Sequence, residues 1–511
     1  MRSHFQRSSA ALLGCLGTVL FAGCTAEIPT SAREDPQSLD AASANQVSVC
    51  HRSGSSGSVI AIPRSQLAMH LSQGDYVTTL VVGHTAPDPN DSVHFRRIGD
   101  AIAAARAGRL ARGELQAAAC RITINVAAGS FRGSGHPGTD PSLEHWPLTV
   151  DVPDLTLHGA FVMELDSHGR ATGSGVGPRA TTLAPIDPLG FYDTGAYYPL
   201  VLAFGHPGGS AGNGLVVEGF VLRSGVPDGG WSGNGIFSTR VSGLTVRGNR
   251  FERGFDVTFD LRMTSAALQQ NSIIGAGLCD MCLAGPGVFQ VSGNLLQAGA
   301  LEGIQIMPAV VLPVPRGVEP DFLPATIDIS GDIANNEVRD HLKAPVGSGI
   351  RVGALGLFAW DTPSTSHYTI HDNLLVNNRF AMTVDAAFPV TGALLKGDMD
   401  VSLSGNVMRQ SCQTNLLVAF TRHTTALGLQ PDAYLLNSIY RLQLGGNIQW
   451  KDAWYSHPAG FGNTLLVDGN LISNGARQFY EPETCPGRKG PAQRDVSSGH
   501  VPFPNRGGGQ G

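Results

Sequence analysis

The sequence predicts an all-β chain wound as a parallel β-solenoid, with a helix capping its start and a small Cys/His module ahead of it. Three observations carry this expectation. First, seven short segments repeat one pattern, an Asn placed after alternating apolar residues and before a second apolar run: Asn249, Asn271, Asn294, Asn336, Asn373, Asn406 and Asn470. Second, apolar and polar residues alternate with period two, as Ile122, Ile124 and Val126 do with Arg121, Thr123 and Asn125. Half-buried strands have this pattern, and helical spacing is missing over comparable stretches. Third, 65 of 511 residues are glycine and only 15% are charged, where about a quarter charged is usual. The formal net charge of −6 leaves no basic excess for nucleic acid.

The elements follow in chain order. Residues 1–23 read as an export signal: Arg2 and Arg7 precede an apolar stretch too short to span a bilayer comfortably. Its end, Leu20-Phe21-Ala22-Gly23-Cys24, resembles a bacterial lipobox, which implies cleavage before Cys24, lipidation of that cysteine and, in a diderm cell, sorting to the outer membrane. An ordinary secretory signal cleaved near Ala22 or Gly23 is the alternative. Acyl chains would then be the sole membrane anchor. Residues 24–46 are polar and rich in Pro, Ser and Ala, as a flexible tether is.

Residues 47–92 form the small module. Cys50, His51, His70, Leu71, Gly74 and Asp75 resemble a Cys-His … His-Leu-x-x-Gly-Asp module found near the start of exported bacterial proteins. Cys50, His51 and His70 are candidate zinc ligands; the other reading is a knot in which Cys50 is disulfide-bonded and the histidines are exposed. Besides Cys24, the exported chain has Cys50, Cys120, Cys279, Cys282, Cys412 and Cys485. Six cysteines allow fifteen connectivities, among them Cys50 with Cys120 and Cys412 with Cys485. Cys279 and Cys282 form a lone C-x-x-C, expected to be packed or cross-linked thiols.

The solenoid is expected over 93–475. Ile98, Ala101, Ile102 and Ala105 share one helical face, suited to close the first coil, and Ile122 to Val126 make the strand after it. The first two spacings of the repeated Asn, 22 and 23 residues, are single turns; longer ones carry insertions. Corner asparagines tolerate left-handed angles and, stacked in register, their amides can bond from turn to turn. At 22–30 residues per turn, about 11–15 turns are expected. Residues 476–511 form a Pro- and Gly-rich C-terminal extension whose end is expected to be disordered.

On the opening 93–134 and the repeats that follow, the chain resembles the right-handed parallel β-helix, or pectin-lyase-like, superfamily. The resemblance implies a helix-plugged first coil and a right-handed winding. It does not fix an activity, since this fold hosts lyases, hydrolases, epimerases, adhesins and spikes.

Signals for chemistry are sparse. The paired aspartates with Gly-His-Gly of polygalacturonases are missing, as are a Trp-x-Asp-His element, a phosphate-cradling Gly-rich loop and a Gly-x-Ser-x-Gly elbow, so no nucleotide is expected. In Gly254 to Arg262, Asp256, Thr258, Asp260 and Arg262 alternate with Phe255, Val257, Phe259 and Leu261. With the apolar set inward, the polar set would share one outer face, and Asp280 would lie beside Thr258 on the next coil. Asp256, Asp260, Asp280 and Arg262 are therefore the candidate catalytic residues, and the three carboxylates a candidate calcium site bridging to a uronate. The other reading has Arg262 neutralising a solvated acidic strand. Two functions follow: a lipid-anchored surface protein that presents a polysaccharide-binding or scaffold face at the bacterial envelope, or a lyase on uronate-containing polysaccharide.

Overall fold

The computed structural model describes residues 45–472, excepting 54–55, 86–90, 116–117, 135–139, 141, 176, 178, 188–198, 206–212, 227–229, 231, 309–326, 343–346, 355–362, 386–395, 412–413, 420–436, 446–452 and 457–463. The signal 1–23, Cys24, nearly all of the 24–46 tether, the 476–511 extension and the pair Cys412 and Cys485 lie outside the described residues.

The alternating segments form parallel strands stacked in register, as a right-handed parallel β-helix. Each turn contributes a strand to each of three sheets. In one turn these are Leu244–Arg247, Arg250–Phe251 and Val257–Arg262. Among the described residues the first sheet has fourteen strands, the second and third ten each. Among the described residues the first sheet stacks eleven parallel strands from Ile122–Val126 to Thr464–Val467, at the lower end of the 11–15 turns expected. Ten aliphatic residues stack along one inward row of the first sheet, from Leu80 and Ile124 through Val246, Leu268 and Val291 to Leu403. These side chains are almost wholly withdrawn from water, which is the main force holding the turns together.

The corners carry the expected ladder. The Asn271 backbone N–H and Nδ2 both donate to Asn294 Oδ1, at 2.9 and 3.0 Å. Equivalent bonds run Asn249 to Asn271, Asn294 to Asn336, Asn336 to Asn373 and Asn373 to Asn406. Upstream the ladder ends on the Phe220 N–H, which donates to Asn249 Oδ1. Asn470 is a correction: its strand turns back antiparallel, pairing it with Val467, so it occupies a hairpin and not a stacked corner.

The N-terminal module is a three-stranded antiparallel sheet with a short helix, Leu67–Ser72. It is shorter than 47–92, since Thr79–Val82 already pairs in parallel with Ile122–Val126 of the solenoid. Cys50 is disulfide-bonded to Cys120, tying module to first coil. The cap helix, Ile98–Ala111, buries Ile98, Ala101, Ile102 and Ala105 as expected, and also Arg109. That guanidinium donates to Tyr76 Oη, Glu114 and the Cys120 carbonyl. At the helix start, Glu144 accepts hydrogen bonds from the Ile98 and Gly99 N–H groups.

Candidate functional site

The third sheet places the candidate catalytic residues. Phe259 aligns with Met281 and Ile304 on successive coils, all inward. The solvated outer face is a correction, however. Thr258, Asp260, Arg262 and Asp280 are buried, and Asp256 is partly so. The alternation also breaks: Val257 leaves the core and packs with Cys279 and Cys282, which are disulfide-bonded.

The three carboxylates go to different places. Asp260 is held bidentately by Arg262, Nε to Oδ1 and Nη2 to Oδ2, both at 3.0 Å. It also accepts from Asn234 Nδ2, while the guanidinium lies 4.9 Å from the centre of the Phe237 ring. Asp280 accepts from Ala276 N–H and bonds His341 Nε2 at 2.9 Å, and His341 Nδ1 faces Asn378 Oδ1. Asp256 has no hydrogen bond or ion pair to its carboxyl among the described residues, and burial pushes it up to about 6. The calcium trio is therefore not assembled. Cys282 occupies the outward position of Asp260 one coil on, and Asp280, flanked by the bridged cysteines, bonds into the corner. Reading one strand at a time also missed Glu302, fully buried and bonded to Ser348 N–H and Arg351. Its signal was available, since Gln305 and Arg351 continue the outward row of Asp260 and Cys282.

In the N-terminal module the zinc set changes. The Cys50 disulfide removes its thiolate, and Asp75 takes its place. Asp75 Oδ2 lies 3.0 Å from His51 Nδ1 and 2.7 Å from His70 Nδ1, with Arg112 at 3.5 Å from the other oxygen. Burial alone would raise the Asp75 carboxyl; hydrogen bonds from His70 and His51 outweigh it and hold the group below its ordinary value. Among the described residues these three alone bring metal-ligating atoms within 4.8 Å of one another. Two imidazoles and a carboxylate are a donor set that zinc accepts.

The first sheet presents a third kind of surface. Strands Ile327–Ala334, Ser364–His371 and Gly397–Ser404 pair over eight residues each. Their inward residues are buried and their outward ones are accessible to solvent. The outward rows are Asp328, Thr365 and Asp398; Ser330, His367 and Asp400; Asp332, Thr369 and Ser402; Ala334, His371 and Ser404. His367 and His371 do not share a site: the first pairs with Asp400 at 3.3 Å, the second with Asp332 at 3.2 Å.

No protein-family profile matches the chain, and no curated protein matches it. Solved structures do. The A-module of a mannuronan C-5 epimerase from Azotobacter vinelandii is 14% identical, over 72% of this chain and 85% of its own, with a TM-score of 0.35. A DFA-IIIase from Arthrobacter chlorophenolicus is 14% identical, over 76% and 94%, with a TM-score of 0.38. A tailspike of the Escherichia coli bacteriophage HK620 is 12% identical, over 83% of each chain, with a TM-score of 0.28. These are likenesses of winding, and the site rests on this chain's own residues.

Proposed function

We propose that the chain is an exported glycan-binding protein of the bacterial cell envelope, tethered by a lipid on Cys24 and presenting the outer face of its first sheet to polysaccharide. One observation carries this reading. Three eight-residue strands in full register turn twelve side chains outward, and all but Ala334 are polar. With rows ~4.8 Å apart, hydroxyl, imidazole and carboxylate groups recur at a spacing that suits hydrogen bonds to successive sugars. The disulfides Cys50–Cys120 and Cys279–Cys282 support export to an oxidising compartment. The test is retention of the purified protein on immobilised neutral and acidic polysaccharides. At least one should retain it, and Thr369→Arg, in the middle of the face, should release it without lowering the melting temperature. Unaltered retention in that variant rules the face out.

A second reading, lyase action on uronate-containing polysaccharide, has Asp256 in its favour. A carboxyl near 6 with no partner among the described residues is ionised at neutral pH and able to take a proton. The same panel, followed by ultraviolet absorbance of unsaturated uronate ends, decides: product from the parent and none from Asp256→Asn would favour the enzyme.

A further inference from the structure

The second sheet bears a cleft of about 760 Å³ on its outer face. Four arginines line it, Arg132, Arg223, Arg250 and Arg253, against one carboxylate, Glu252. In a chain whose net charge is −6, that concentration of guanidinium is out of character. Glu252 is already engaged by Arg223 at 2.6 Å and lies 3.8 Å from Arg250. Arg250 is held in place, its Nη1 donating to the carbonyls of Gly173 and Ser174. Arg132 and Arg253 are exposed, and their guanidinium groups have no partner among the described residues. The nearby Asp187 carboxylate is bonded to the Ser134 hydroxyl.

The register explains why a space exists. Arg132 pairs with Ala184 on the next coil, and the pairing of Leu183 with Leu222 sets Arg223 beyond it. Two cations in one row are thus separated by a single methyl group and by about 10 Å. A single small anion cannot engage both. A chain with a carboxylate or sulfate on nearby sugar units can, its acidic groups meeting guanidinium and its ring lying over Ala184 and Pro185.

We infer that this cleft is a second glycan site, specific for anionic saccharide, on a different face from the aspartate-, histidine- and hydroxyl-bearing surface of the first sheet. The inference rests on the glycan-binding reading and adds a charge class and a place. Calorimetric titration of the full-length protein with uronan oligosaccharide, sulfated oligosaccharide, neutral oligosaccharide and inorganic phosphate tests it. The anionic oligosaccharides should bind, more weakly as salt rises, and the double variant Arg132→Gln with Arg253→Gln should lose at least about ten-fold in affinity for them. Neutral binding without anionic binding overturns the cleft and spares the broader reading; failure of every saccharide overturns both. Phosphate binding as tight as the oligosaccharide, or an unaffected double variant, also overturns it.

Discussion

Each turn from the first sheet into the second places two residues side by side with separate tasks. The left-handed angle falls on the first of them, Gly248, Gln270, Gly293, Asn335, Asp372 or Gly405, at φ between 54° and 66°. The asparagine that follows is thus present for its amide, and the expectation that it takes the left-handed angle itself is corrected. Asn294 shows how much rests on one side chain. Its Oδ1 receives two donors from Asn271, and its Nδ2 donates to Asn336 Oδ1 and the Leu268 carbonyl. Asn294→Leu should cost about 3 kcal/mol, because these buried groups on the two neighbouring turns lose partners that water cannot replace. A melting temperature equal to the parent's would show the ladder to be dispensable. Ladder positions were legible because the local pattern repeats in sequence. Asn470 has the pattern without the neighbour, and no local pattern shows that a strand will reverse. Nor does period-two counting show where alternation slips, which is why Asp280 was assigned to the wrong side.

At the scale of elements, the cap helix was legible on its apolar face and opaque at both ends. Ile98, Ala101, Ile102 and Ala105 announce themselves by spacing; Arg109, equally buried, does not, because its partners Tyr76 and Cys120 come from other elements. Glu144 is likewise remote in sequence, yet it satisfies the first amides of the helix. Two effects compete on it. Burial raises its pKa, the amides lower it, and burial prevails, leaving it at about 7 against an ordinary 4.5. The folded chain therefore binds this proton more tightly than the unfolded chain. Its contribution is complete below about 4.5 and is lost as pH rises through about 7. Glu144→Gln keeps an acceptor for the amides and has no charge to bury. The fall in melting temperature between those pH values should be smaller in Glu144→Gln than in the parent. Identical profiles would remove Glu144 from the account.

For the molecule as a whole, stacking makes each outer face a column of residues far apart in sequence, so their chemistry is hard to read from one strand. The fold itself was legible because burial imposes the same period on every turn. The faces were not: one is polar and exposed, one is a cationic cleft, and one is a closed row of ion pairs, Asp260 with Arg262 and Glu302 with Arg351. On the proposed reading, glycan-binding faces serve an envelope protein only if the chain is held at the membrane while those faces stay free, which is what a lipid on Cys24 followed by a polar tether would provide. Cys24→Ser removes the acyl acceptor and nothing else. The parent should therefore sediment with membranes after a high-salt wash that strips electrostatic contacts, whereas Cys24→Ser should be found in the soluble exported fraction or accumulate unprocessed. The washed comparison matters because glycan binding alone could hold either form at the surface. If processed Cys24→Ser stays with the membrane through the wash, the anchor is something other than this cysteine, and the envelope reading must rest on the faces alone.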